Sequence, residues 1–293
     1  MFKFVQKLTC LAIATSVNIG VCLSPTFAED SSLGIIMRRG HLRVGIDAAI
    51  GGPYMFWNAK TQFYDGFELE IIQEIAARLN IEPRPINIPW STQPENLASR
   101  QIDMLLSARE EGALETGGKF IETNAYYRSA QRLLIRADGT QIKSLRDMIG
   151  KRVGVVANSG GAAIAETYNK NRGNAIRLFS SRDLDRMIIQ LRDRQLDAMI
   201  VDEPVAVWQV RNNPNFIIVG EPLIPIRLVA IVNKDDVSLK KAVDKALTEM
   251  LQDGKLEQIL KRWNLLESQK TLKSTKDLPA TVLAIITPYS VYQ

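Results

Sequence analysis

The chain repeats itself. Arg100-Gln101-Ile102-Asp103-Met104-Leu105-Leu106 returns as Arg194-Gln195-Leu196-Asp197-Ala198-Met199-Ile200, and upstream of these lies a second pair of echoes, Arg43-Val44-Gly45-Ile46 and Arg152-Val153-Gly154-Val155. A repeated supersecondary unit constrains the fold more tightly than any single motif. Each copy opens with a short β-branched strand and later returns with a helix, a tight turn and another apolar strand. In between, the apolar period becomes helical. Phe67, Leu69, Ile71, Ile72, Ile75, Ala76 and Leu79 mark one face of GFELEIIQEIAARLN, and Leu184, Met187, Ile188 and Leu191 do the same in DLDRMIIQLRDRQ. Strands alternating with helices imply mostly parallel sheets covered on both faces. The expectation is α/β, with two doubly wound lobes.

The end of the chain breaks the symmetry. After Ile217 to Pro222 comes another strand, Leu228 to Asn233, then two helical stretches, Ser238 to Leu251 and Lys255 to Trp263, with no counterpart at the end of the first copy. The chain is therefore expected to cross back and complete the first lobe. Crossings near Arg136 to Gly139 and near Glu221 to Ile226 make a two-crossing hinge. The corresponding boundaries are 1–28 for a leader, 29–137 and 222–266 for lobe one, 138–221 for lobe two and 267–293 for a C-terminal extension. In that extension a lysine-rich stretch leads to an apolar run, Ala280 to Ile286, between Pro279 and Pro288. The run is shorter than the about 9 to 11 residues of a spanning strand. It is expected to dock on the body of the protein, or else to serve as a contact for a membrane partner.

Lys3 and Lys7, an apolar run from Leu8 to Leu23 and Thr26-Phe27-Ala28 have the three-part form of a secretory signal cleaved after Ala28; a membrane anchor is the alternative. Cleavage leaves roughly 265 residues, about two domains by length. Both cysteines, Cys10 and Cys22, fall in the leader, so the remaining chain is expected to be stabilised by core burial without disulfides. The net charge of +5 falls by the two leader lysines and is spread without a basic run, which gives no case for nucleic acid. With one histidine, His41, and no cysteine past the leader, metal centres and Ser-His or Cys-His nucleophiles lack their raw material. No metal or cofactor is expected.

Open α/β sheets bind ligands beyond the carboxyl ends of their strands. Aligning the echoes brings Asp47 to Tyr54 and Ser107 to Glu110 from one lobe to face Asn158 to Gly161 and Asp202-Glu203 from the other. Asp202 ends an apolar strand, and a buried acid is costly without a partner. A ligand ammonium would serve; so would a helix N-cap role ahead of Pro204. Ser159 and Gly160 open a helix, whose free N–H groups suit a ligand carboxylate or a plain capping turn. Tyr54 and Trp90 lie just past strands and are read as ligand-packing aromatics, with core packing as the alternative.

GHLRVGIDAA, YDGFELEIIQEIAARLN, Trp90 followed by LASRQIDMLLS, Ala125-Tyr126-Tyr127, SLRDMIGKRVGVV, LDAMIVDEPVA and DGKLEQILKRWN together resemble the extracellular solute-binding proteins of family 3, from about Gly40 to Asn264. The resemblance implies a fold like the type II periplasmic binding proteins, a membrane ABC permease as partner and a periplasmic or otherwise extracytoplasmic location. It also implies that Asp202 and Asp47 hold an α-ammonium while Ser107 and Ser159 receive a carboxylate. The chain departs from the family where a Thr-x-x-Arg clamp is usual: SAREEGALETGGKF places Gly112 and Glu115 there, and Arg109 is the expected substitute. The expected function is capture of a small polar or zwitterionic, amino-acid-like solute by a monomer that closes its lobes and performs no reaction. Two rivals are a sensor subunit for a membrane receptor and a cyclohexadienyl dehydratase-like enzyme using Glu203.

Overall fold

The computed structural model describes residues 31–114, 118–138 and 141–267. The segment expected to be a leader, the extension from residue 268 onward and Glu115 lie outside them.

In chain order the first lobe begins with α1 (Ser32–Arg39), β1 (His41–Ile46), the hairpin β2 (Phe56–Asn58) and β3 (Phe63–Asp65), α2 (Phe67–Arg78), β4 (Glu82–Asn87), α3 (Gln93–Ala98) and β5 (Met104–Leu105). The long β6 (Phe120–Arg136) leads to β7 (Arg152–Val156), α4 (Gly160–Asn171), β8 (Arg177–Ser181), α5 (Leu184–Arg192), β9 (Ala198–Asp202), α6 (Glu203–Asn212) and β10 (Phe216–Val219). The chain closes with β11 (Pro225–Asn233), α7 (Val237–Gln252) and α8 (Lys255–Arg262). The sheet order is β4-β1-β5-β11-β6-β9-β7-β8, with β10 pairing β6. Both copies thus share one plan: three parallel strands with the first in the middle, flanked by an antiparallel strand.

The echoes have a physical reason. In each copy the strand arginine grips the aspartate that follows the helix and turn. Arg43 Nη2 lies 2.8 Å from Asp103 Oδ1, and Arg152 Nη2 lies 2.7 Å from Asp197 Oδ1. The arginine's backbone N–H donates to the same carboxylate, at 2.8 Å in both copies. Its guanidinium also donates to the carbonyl of Arg100 or Arg194, turn residues with φ of 59° and 62°. The glycine two residues on is needed for close approach: a Cβ on Gly45 would lie 2.5 Å from Ile102 Cδ1, and one on Gly154 2.7 Å from Leu196 Cδ1. The repeat is a bracket that fixes helix, turn and strand to one another. It also corrects the helix pairing. The counterpart of α5 is the short α3, and α2 corresponds to α4.

Burial follows the apolar period. In α2, Phe67, Ile71, Ile72, Ile75 and Ala76 face the sheet, and Glu68 and Glu70 in its first turn suit the positive end of the helix dipole. In α5, Leu184, Met187 and Leu191 do so, while the Asp183 side chain caps the helix by accepting from Arg186 N–H at 2.9 Å.

The first crossing lies earlier than the sequence suggests. Residues Phe120 to Ala130 of β6 pair with β11, whereas Gln131 to Ile135 pair with β9, so Arg136 already belongs to the second group of strands. A 17-residue strand shared by two sheets shows no composition break at its transit point. The return crossing touches the first, since Leu223 N–H donates to Gln131 O at 2.9 Å and Gln131 N–H to Ile224 O at 3.0 Å. β11 then pairs with β5, and α7 packs against β6 and α2. Between the lobes Trp208 of α6 meets Phe56 of β2 and Trp263 just past α8, with ring centroids 5.4 and 5.8 Å apart.

Candidate functional site

A cavity of about 340 Å³ opens beyond the carboxyl ends of β1, β4 and β5 on one side and β7, β8 and β9 on the other. The first lobe contributes Asp47, Ile50, Tyr54, Trp90, Ala108 and Glu110. The second contributes Asn158, Ser159, Gly160, Arg182 and Asp202.

Asp202 occupies the N-cap position of α6, yet its side chain makes no capping hydrogen bond. Its carboxylate turns into the cleft instead. Oδ1 accepts from Gln131 Nε2 at 2.5 Å and Oδ2 from the Tyr54 hydroxyl at 2.9 Å. Gln131 stands opposite Asp202 in the β6–β9 register, at the point where β6 passes between lobes. Both partners are neutral. Burial therefore raises the Asp202 pKa, with the two hydrogen bonds pulling it down, and burial beside Asp202 pushes the Tyr54 hydroxyl well up. The Tyr54–Asp202 bond joins the lobes directly.

Two further carboxyls crowd this one. Glu68, fully buried in the first turn of α2, accepts from Ala108 N–H at 2.8 Å and from the Tyr126 hydroxyl. Burial lifts its pKa to about 7 against the pull of Tyr126 and Ala108, and Asp202 adds to the rise. Glu110 is likewise raised to about 7, first by burial and then by Asp202, with a hydrogen bond from the Gly160 backbone opposing.

The residues singled out in the sequence divide into two groups. Asp47, Tyr54, Trp90, Ser159, Gly160 and Asp202 all line the cavity; Ser107 and Arg109 do not. Asp47 faces the cavity with its oxygens already engaged by backbone, Oδ1 by Ala49 N–H at 2.8 Å and Oδ2 by Trp90 N–H at 2.7 Å. Ser159 caps α4 from Ala162 N–H at 3.2 Å and donates to Val156 O at 2.7 Å. Ser107 is buried, its hydroxyl accepting from Gln93 Nε2 at 3.2 Å.

Arg109 is buried behind Trp90. Its guanidinium lies 3.5 Å from the indole centroid and donates to Gln93 Oε1 at 2.9 Å and to Trp90 O. Burial lowers its pKa to about 10, opposed by Asp47 and Glu95, so it stays cationic at neutral pH. The expected substitution for the missing clamp is thus replaced by a packing role: the guanidinium fixes Trp90 from below. Glu203, the acid of the enzymatic rival, is buried at the start of α6 and is not among the cavity-lining residues.

Glu110, Gln131 and Arg182 were missed. Glu110 stood inside the turn named from the sequence. Arg182 follows β8, and applying the strand-end rule to that strand would have found it. Gln131 gave no signal, being one polar residue in a long strand.

Comparisons with known proteins bear on the fold and the family. The L-cystine-binding protein TcyJ of Escherichia coli (strain K12) is 28% identical over 242 residues, 81% of this chain and 88% of that protein. An ancestral arginine-binding protein, solved bound to arginine, superimposes with a TM-score of 0.69 at 26% identity over 77% of this chain and 98% of its own. An ancestral amino-acid-binding protein described as a precursor of cyclohexadienyl dehydratase reaches 0.70 at 24% identity, over 80% and 99%, a likeness of fold. The model of one family matches residues 42–266, which covers both lobes and the crossings between them. The chain belongs to the bacterial extracellular solute-binding proteins, family 3.

Proposed function

We propose that this protein captures a small amine-bearing solute of amino-acid size outside the cytoplasmic membrane and, as a monomer, delivers it to an ABC permease. The observation that carries the reading is Asp202. It is a half-buried carboxylate at a strand end, held by one donor from each side of the cleft and matched by no cationic side chain in its hydrogen bonds. An ammonium or guanidinium entering the cavity would supply the charge that Tyr54 and Gln131 lack. Because the cavity is lined by Tyr54 from one lobe and Asp202 from the other, a ligand that contacts both favours the closed arrangement over the open one. The relatives support the amine class, one being named for L-cystine and another solved with arginine. A binding role rather than turnover is further supported by Glu203 lying outside the cavity lining.

The test is calorimetry on the mature protein with cationic and zwitterionic amines, followed by Asp202→Asn. Loss of a desolvated charge pair costs about 2 to 5 kcal/mol, so the variant is expected to bind at least thirtyfold more weakly. Unchanged affinity in the variant would remove Asp202 from the site.

A further inference from the structure

The charge arrangement in the cavity says more about the solute than its size does. Glu110 belongs to the first lobe, where a backbone bridge to Leu228 of β11 and the bond from Glu111 N–H to Arg227 O at 2.8 Å anchor its segment. Its carboxylate nevertheless rests against the second lobe, at the first residue of α4. A Cβ built on Gly160 would lie 2.8 and 3.1 Å from the two Glu110 oxygens, and the Gly160 backbone hydrogen-bonds that carboxylate. The start of α4, the positive end of its helix dipole, is the place in this cleft that suits an anion. The protein fills it with its own carboxylate.

Among the described residues, Arg182, exposed beside α5, is the sole cationic side chain lining the cavity. Arg109 is turned beneath Trp90. Glu68 lies behind Ala108, close enough to Asp202 for the two to repel. Ile50, Trp90 and Val205 add apolar wall that suits methylenes, and Asp47 adds a further carboxylate to the lining.

Resting on the amine reading above, we infer that the cleft selects an organic cation with two positive centres and no carboxylate, an aliphatic diamine or guanidino-amine rather than an α-amino acid. One centre meets Asp202 and the other meets Glu110. A solute carboxylate would have to displace Glu110 from the start of α4 and take its place among ionisable acids, the arrangement that like charges resist most.

Matched pairs differing only by the carboxylate test this: agmatine with L-arginine, cadaverine with L-lysine, putrescine with L-ornithine, each titrated calorimetrically into the mature protein. The decarboxylated partner is expected to bind at least tenfold more tightly in the pair of best-fitting length. Glu110→Gln, which keeps the side-chain volume, is expected to narrow that ratio by weakening the decarboxylated partner. Equal or tighter binding of the amino acid to the wild-type protein overturns the inference and leaves the amine reading standing. Failure of all six compounds, with another zwitterionic amine such as L-cystine binding, overturns the inference alone; failure of every cationic and zwitterionic amine titrated overturns both.

Discussion

Replacing Glu68 by glutamine isolates one buried ionisation. In the native protein the carboxyl is fully buried, and its pKa is raised from 4.5 to about 7. In the unfolded chain it titrates near the ordinary value. Because the folded pKa is the higher one, the native state gains from holding the proton. That gain is fully present below pH 4.5 and is lost as pH rises to about 7. A rise of this size corresponds to about 3 kcal/mol, at roughly 1.36 kcal/mol per pH unit. Glutamine can accept from both Ala108 N–H and the Tyr126 hydroxyl at Oε1, as the carboxyl does, without ionising, so Glu68→Gln lacks this dependence. Urea unfolding of both proteins from pH 4 to 8 is the assay. The stability of wild type minus variant should be flat at the acid end, fall by about 3 kcal/mol through the window and level off above pH 7. Glu110 titrates over the same range in both proteins and largely cancels in the difference. Parallel profiles across the whole range would refute the reasoning, because they would mean that Glu68 is as easily ionised folded as unfolded.

Arg109→Ala is expected to destabilise the fold by about 1 to 3 kcal/mol, since it leaves Gln93 Oε1 and Trp90 O without their donor, while the relative affinities for carboxylate-bearing and neutral ligands stay the same; a selective loss of carboxylate binding would restore it to the site. Gly45→Ala and Gly154→Ala should each lower stability by about 1 to 3 kcal/mol in thermal melts, through overpacking against Ile102 and Leu196. Trp208→Leu should loosen the interlobe contact with Phe56 and Trp263, seen as a change in the remaining tryptophan emission and faster hydrogen exchange at Phe56. Unchanged exchange would mean that the cluster does not hold the lobes.

The two-lobe plan was legible because its signals are local. The Arg–Asp bracket and its glycine recur at fixed spacing, and each lies within one copy. Asp202 was legible for a similar reason, as an acid placed where an apolar strand stops. The choice between Arg109 and Glu110 was not. Consecutive residues past a strand point to different sides, and Ala108, with a φ of 48°, redirects the chain just before them. Charge complementarity favoured the arginine as a replacement clamp, but it is the glutamate that faces the cavity and the arginine that is buried. The transit point on β6 was hidden as well, because strand periodicity reports which face is buried and not which neighbour is paired. Gln131 owes its importance to that pairing, opposite Asp202, which only the register reveals.

The sharing of β6 by two sheets turns a small local change into a large one. From β6 to the outer strand β4 there are four interstrand steps, through β11, β5 and β1. At about 4.8 Å per step the sheet forms a lever of roughly 19 Å. A change of about 20° in local twist where β6 passes from Ser129 to Gln131, comparable to the ordinary twist between neighbouring strands, moves the far rim of the lobe by about 7 Å. Opening and closing of the cleft would therefore register as a change in distance between the two outer rims, far from the solute itself.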